Sequence, residues 1–197
     1  MDRRILIPAA AVLVLAISSL VAAGCARHRQ AVATSTAPAI GGPFHLVDQD
    51  GHPVSDKDLQ GKPSVVFFGF TYCPDVCPTT LAKLAEWMKA LGPDADRFNV
   101  VFITIDPARD TPAQLKRYLA SFDPRFRGFT GSDQAIAAAA HEYDVYVQKV
   151  PLPGGGYTMD HSTGVYLLDR KGRFAEALST DETDQEATAA LRRVQES

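Results

Sequence analysis

Two stretches of the chain are apolar without alternation: Ser64-Val65-Val66-Phe67-Phe68-Gly69-Phe70 and residues 100–105. Unbroken runs of that length, rich in β-branched and aromatic side chains, predict strands buried on both faces. A helical period follows each of them. Leu81, Leu84, Ala85, Met88 and Leu91 recur at helical spacing after Pro78, and Gly92-Pro93 ends the series. Thr111 caps a second predicted helix, which has Pro112 in its first position and runs toward Phe122. Residues 126–129 read as a short extended segment, an alanine-rich helix capped by Ser132 or Asp133 continues through Glu142, and residues 145–150 are extended again. A Pro/Gly-rich loop over residues 151–156 separates this half from residues 157–160. Residues 164–169 and 174–178 flank the turn Arg170-Lys171-Gly172-Arg173 as a hairpin, and a helix over residues 184–194 closes the chain. Ahead of these, residues 44–47 and the Asp50-Gly51 turn predict a short N-terminal hairpin. Strands alternating with helices, then a hairpin and a helix, give an α/β fold with a mixed central sheet and flanking helices.

A further apolar segment lies outside that rhythm. Asp2-Arg3-Arg4 precedes a run over residues 5–23, broken only by Pro8, Ser18 and Ser19, and together they have the charged and hydrophobic parts of an export leader. The run ends in Val21-Ala22-Ala23-Gly24-Cys25, similar to a bacterial lipoprotein cleavage box with Cys25 as the lipidated residue. About 19 apolar residues also nearly span a bilayer, so residues 1–25 are a lipoprotein signal peptide, an uncleaved membrane anchor or a simply cleaved signal. Residues 26–43 carry no apolar period and, from Ala31 on, consist largely of Ala, Thr, Ser, Pro and Gly, which describes a flexible tether. The folded domain is expected over residues 44–197.

Composition narrows the partners. At 197 residues and 46% hydrophobic content the chain can bury one ordinary core. Its formal net charge is -3, and 18 basic side chains face 22 acidic ones beyond residue 25, so nothing points to a nucleic-acid partner.

The chemistry concentrates at Cys73-Pro74-Asp75-Val76-Cys77-Pro78, between the first buried strand and the first helix. A thiolate is favoured at a helix N-terminus, where unpaired backbone N–H groups supply partial positive charge, and Cys77 is expected there. With His161, in Asp160-His161-Ser162, two sulfurs and one imidazole make a set of three soft ligands that suits Cu(I) and tolerates Cu(II). Structural zinc is the rival ion, but it wants four protein ligands and Cys25 is separated by the tether. The same two thiols can close a Cys73–Cys77 disulfide, so metal chemistry, thiol redox chemistry or both in alternation remain open. A purely structural staple explains the pair poorly, because so short a loop removes little chain entropy. Asp160 and Ser162, beside His161, and Asp75 and Asp106 are candidates to support the ligands. In Asp106-Pro107-Ala108-Arg109-Asp110-Thr111-Pro112, Asp110 or Thr111 reads as a helix cap, and Asp106 with Arg109 as an alternative docking or ligand-supporting surface.

Gly69-Phe70-Thr71-Tyr72-Cys73-Pro74-Asp75-Val76-Cys77-Pro78, the Asp106 to Pro112 segment and Asp160-His161-Ser162-Thr163-Gly164-Val165-Tyr166-Leu167-Leu168-Asp169 together resemble the Sco/SenC family, over most of the chain from Phe44 on. The resemblance implies a thioredoxin-like domain tethered to a membrane and facing the periplasm or the mitochondrial intermembrane space, and the lipoprotein-like leader points to the bacterial periplasmic face. It implies one copper ion per chain, held by Cys73, Cys77 and His161, and a role in metallating the binuclear copper site of cytochrome c oxidase subunit II. A copper donor and a thiol reductant are then further partners, since the apo thiols oxidise in such a compartment. Enzymatic activity is an open alternative: a thiol-disulfide reductase acting on a copper-site protein's cysteines, although CxxxC departs from the thioredoxin CxxC. A peroxidase of peroxiredoxin type fits the motif less well still.

Overall fold

The computed structural model describes residues 40–197. Residues 1–25 with Cys25, and the tether up to residue 39, lie outside the described residues. Among the described residues no helix is long and apolar enough to cross a membrane.

The two unbroken apolar runs become β3 (Ser64–Gly69) and β4 (Asn99–Thr104), paired in parallel at the centre of one mixed sheet. Every residue of β3 is buried, as a strand covered on both faces requires. β5 (Phe126–Thr130) extends the parallel part beyond β4, and β8 (Val165–Leu168) runs antiparallel along the other side of β3. The predicted hairpins finish both edges. β1 (His45–Asp48) and β2 (Pro53–Ser55) add to β5, and β9 (Phe174–Leu178) pairs with β8, giving the order β2-β1-β5-β4-β3-β8-β9.

Among the described residues four α-helices flank the sheet: α1 (Val76–Leu91), α2 (Pro112–Leu119), α3 (Asp133–Glu142) and α4 (Asp184–Glu196). α1 and α4 pack together, α2 lies against β5, and α3 against β1. The Trp87 indole N–H donates to Asp184 Oδ1 at 2.9 Å and pins the first pair. Thr111 and Ser132 cap α2 and α3 by accepting from the Gln114 and Ala135 amides. The fold is thioredoxin-like, a mixed sheet flanked by helices with an added N-terminal hairpin.

α1 begins at Val76 with Pro78 in its first turn, as the sequence predicts, where a proline forfeits no intrahelical bond. One feature differs from the sequence reading. Residues on either side of the Pro/Gly loop form their own two-stranded sheet: β6 (Val147–Pro151) pairs antiparallel with β7 (Tyr157–His161), from Val147↔His161 to Pro151↔Tyr157. No residue of either strand is fully buried. Its tip turns through Gly154, Gly155 and Gly156, all at positive φ.

Candidate functional site

The two cysteines stand on the most deeply buried part of the sheet. Gly69 ends β3, and a Cβ there would lie 2.8 Å from Cys77 Sγ and 2.8 Å from the Phe102 ring, so the sulfur packs against bare backbone. Thr71 then ties the loop to the β4–α2 connection: its amide and hydroxyl donate to Asp110 at 2.9 and 2.6 Å. Thr104 Oγ1 donates to the same carboxylate at 2.6 Å, and the Asp110 carbonyl accepts from Thr130 Oγ1 at 3.0 Å. Asp110 has no exposed surface, and burial pushes its carboxyl up while the threonine hydrogen bonds pull it down.

Cys73 and Cys77 are both free thiols. The Cys77 amide donates to Cys73 Sγ at 3.4 Å, so the sulfur that meets an N–H of the first helical turn is that of Cys73. Its place just before Pro78 predicts a thiolate at the helix terminus for Cys77. Cys77 does sit in the first turn of α1, but it points into the core with no exposed surface, and burial pushes its thiol well up, with Cys73 adding to the shift and a Phe70 backbone hydrogen bond opposing it. Desolvation outweighs the helix terminus.

His161 ends β7. Its Nδ1 lies 2.6 Å from the Ser162 carbonyl, an acceptor only, so the proton sits on Nδ1 and donates to that oxygen while Nε2 carries the lone pair. Nε2 stands 3.8 Å from Cys77 Sγ, and the Phe70 ring meets the imidazole edge-on at 6.1 Å. Burial lowers the His161 pKa against the smaller opposing pull of the Ser162 carbonyl and Asp160, so the ring is neutral at pH 7. Bonds of about 2.3 Å to sulfur and 2.0 Å to nitrogen allow one ion to join atoms up to about 4.3 Å apart; the Cys77–His161 spacing lies within that reach. Cys73, Cys77 and His161 thus share one neighbourhood, although among the described residues no three His, Cys, Asp or Glu side chains already converge as a metal-holding group.

Among the described residues no hydrogen bond runs from Asp75, Asp160 or Asp106 to the side chains of Cys73, Cys77 or His161. Asp75 is exposed at the N-cap position of α1, its nearest partner Thr79 Oγ1 at 3.5 Å, and Asp160 is exposed on β7. Asp106 is buried but pairs with Arg109 and accepts from the Tyr157 hydroxyl at 2.8 Å. The support comes from a backbone carbonyl at Ser162 and from Asp110, which holds the cysteine loop while Thr111 does the capping. Arg109 lies over three rings, its Cζ 3.9 Å from the Tyr157 centroid, 4.7 Å from Tyr72 and 5.8 Å from Phe70.

Residues 32–196 match the SCO1/SenC family model. Among solved structures, that of Bradyrhizobium japonicum ScoI with copper bound is 52% identical at a TM-score of 0.75, covering 79% of this chain and 99% of that one. Yeast Sco1 with copper bound is 40% identical at a TM-score of 0.75, covering 81% and 90%. The mitochondrial protein SCO1 of Saccharomyces cerevisiae is 44% identical over 147 residues, which are 72% of this chain and 49% of that relative. The chain therefore spans about half the length of this curated relative.

Proposed function

The chain belongs to the SCO1/SenC family, and from that premise we propose that its domain is a copper carrier whose ligands are Cys73, Cys77 and His161. The observation that carries the reading is the 3.8 Å approach of a lone-pair-bearing imidazole nitrogen to a reduced cysteine sulfur, beside a second reduced sulfur. Two thiols and a neutral imidazole are the donor set that soft copper selects, and relatives at 52% and 40% identity were solved with copper bound. Copper here is cargo. The buried Cys77 thiol gives up its proton as the ion binds, so uptake is proton-coupled and strengthens with pH. Cys73 is partly exposed and lies at the mouth of the site, where an acceptor's ligands can enter and displace the protein's one by one.

The acceptor in this reading is the binuclear copper site of cytochrome c oxidase subunit II, and the domain works at the periplasmic face of the membrane, tethered by lipid at Cys25 or by an N-terminal helix. The deciding experiment is copper stoichiometry on reduced protein: one ion per chain for wild type, with marked loss for His161→Ala. Mass spectrometry of the mature N-terminus tests the tether, and an unmodified Met1 would rule out lipidation at Cys25.

A second reading has its own support in the unequal burial of the cysteines. Cys73 is accessible and Cys77 buried behind it, as an attacking and a resolving thiol would be. Cys73 would then attack a partner's disulfide, and Cys77 would release the mixed disulfide, leaving Cys73–Cys77 oxidised and the partner with two thiols. Unchanged copper binding in His161→Ala, together with disulfide reductase activity, would favour this reading.

A further inference from the structure

We propose that Arg109 is a positioning residue for His161: its guanidinium fastens the β6–β7 hairpin to the cysteine loop and so sets where the imidazole stands relative to Cys77. The consequence for copper rests on the carrier reading above; the structural claim does not.

Arg109 touches three separate pieces of chain. Its Nε pairs with Asp106 Oδ2, its Nη1 donates to the Tyr157 carbonyl at 3.1 Å, and its Cζ lies over the rings of Tyr157 and Tyr72 at 3.9 and 4.7 Å. The Tyr157 hydroxyl returns to the other oxygen of Asp106 at 2.8 Å, closing a ring of contacts. Tyr72 adjoins Cys73, and Tyr157 opens the strand that ends on His161. One side chain therefore joins the loop that carries the thiols to the strand that carries the imidazole. Asp106 is 4% exposed and Arg109 23% at the side chain, so the pair is far less screened than one on the surface. Nη2 is buried without a hydrogen-bond partner among the described residues, which leaves the grip to Nε, Nη1 and the two rings.

The hairpin needs such a grip. It pairs only within itself, no residue of it is fully buried, and within the two strands Val147 and Met159 are the side chains packed against the core. An element with so few buried contacts opens more easily than the sheet beside it. At its base the Ser162 amide donates to the Tyr146 carbonyl and the Tyr146 amide to Ser162 Oγ, both at 3.1 Å, but these bonds tie the two strands to each other. Arg109 and Asp106 tie the hairpin to the domain. A lysine keeps the charge but cannot form the same fork or stack as a planar group.

The test uses reduced, metal-free protein and hydrogen–deuterium exchange of wild type, Arg109→Met and Arg109→Lys. In Arg109→Met the amides of residues 157–161 exchange about tenfold faster or more, the scale of a lost hydrogen bond to a charged group, while β3 and α1 keep wild-type rates, which also shows that the variant is folded. Arg109→Lys falls between the two. Wild-type exchange of the hairpin in Arg109→Met, or full rescue by lysine, would overturn the proposal. Copper(I) retention against a chelating dye then tests the consequence: Arg109→Met loses about tenfold, and adding it to His161→Ala costs nothing further, because Arg109 acts through His161. An additive loss contradicts the proposal. If reduced wild type takes up no copper at all, the carrier reading fails and the exchange result still decides on Arg109.

Discussion

The cysteine loop and the β6–β7 hairpin bring their groups to the same place by opposite physical means. The loop leaves a fully buried strand, leans on a glycine with no room for a methyl group, and is bolted by Thr71 to a carboxylate with no exposed surface. The hairpin is a two-stranded sheet of its own with no fully buried residue. A site for a passing ion gains from this division. In the carrier reading, two thiols held by the core keep their place with or without cargo, whereas the imidazole rides on a weakly packed arm whose hold on the domain rests on Arg109 and Asp106.

If the loop is the rigid half, the largest penalties fall there. Asp110→Ala removes the acceptor of three hydrogen bonds in a buried setting and should destabilise the domain by about 3 kcal/mol, read as a lower urea midpoint at unchanged slope. A cost near zero would mean the loop is not held as described. Gly69→Ala places a methyl group 2.8 Å from Cys77 Sγ and the Phe102 ring, and overpacking of that kind costs about 1–3 kcal/mol. The same denaturation experiment checks it. Its copper retention should fall as well, because Cys77 has to shift to make room.

The two halves also differ in how much of them the sequence reveals. Residues 64–70 announce a buried strand because no polar residue interrupts them, and CxxxC at the end of such a strand is conspicuous. His161 is legible as a ligand only through the motif around it. The hairpin is not legible as a separate sheet, since residues 147–151 and 157–161 are half-exposed and lack the clean alternation that would assign a face. Asp110 reads as a helix cap from its place before Thr111-Pro112; that its carboxylate turns back to Thr71, 39 positions earlier, is a tertiary fact. Ser162 is legible as a neighbour of the imidazole, but that its backbone carbonyl makes the bond is not, because every residue has one. Cys77 was assigned to the helix terminus correctly, but burial, which sets its protonation, comes from packing that the local pattern does not contain.

Protonation of His161 gives a smaller way to sharpen the comparison. Burial holds its pKa below the ordinary value of about 6.5, so the unfolded chain takes up the proton first. The resulting contribution to stability is complete above about pH 6.5 and is lost as pH falls from there toward the folded-state value. In metal-free, reduced protein, wild type should lose more stability than His161→Ala between pH 7 and 5, by no more than the limit of about 1.4 kcal/mol per pH unit set by one proton. Parallel pH profiles for the two proteins would show that the imidazole is not held in a desolvated place.

At neutral pH and without metal the smallest effect belongs to the same variant. His161 is already neutral, its Nδ1 bonds the carbonyl of the adjacent residue, its Nε2 meets Cys77 Sγ only at 3.8 Å, and its strand packs little against the core. His161→Ala should therefore change unfolding free energy by only about 0.5 kcal/mol or less, measured by urea denaturation at pH 7 on reduced, metal-free protein. With copper bound, the two proteins should separate, because the ion stabilises whichever folded state binds it more tightly. A loss in the metal-free state comparable to that of Asp110→Ala would put the imidazole among the groups that hold the domain together, and the hairpin could not then be the yielding half of the site.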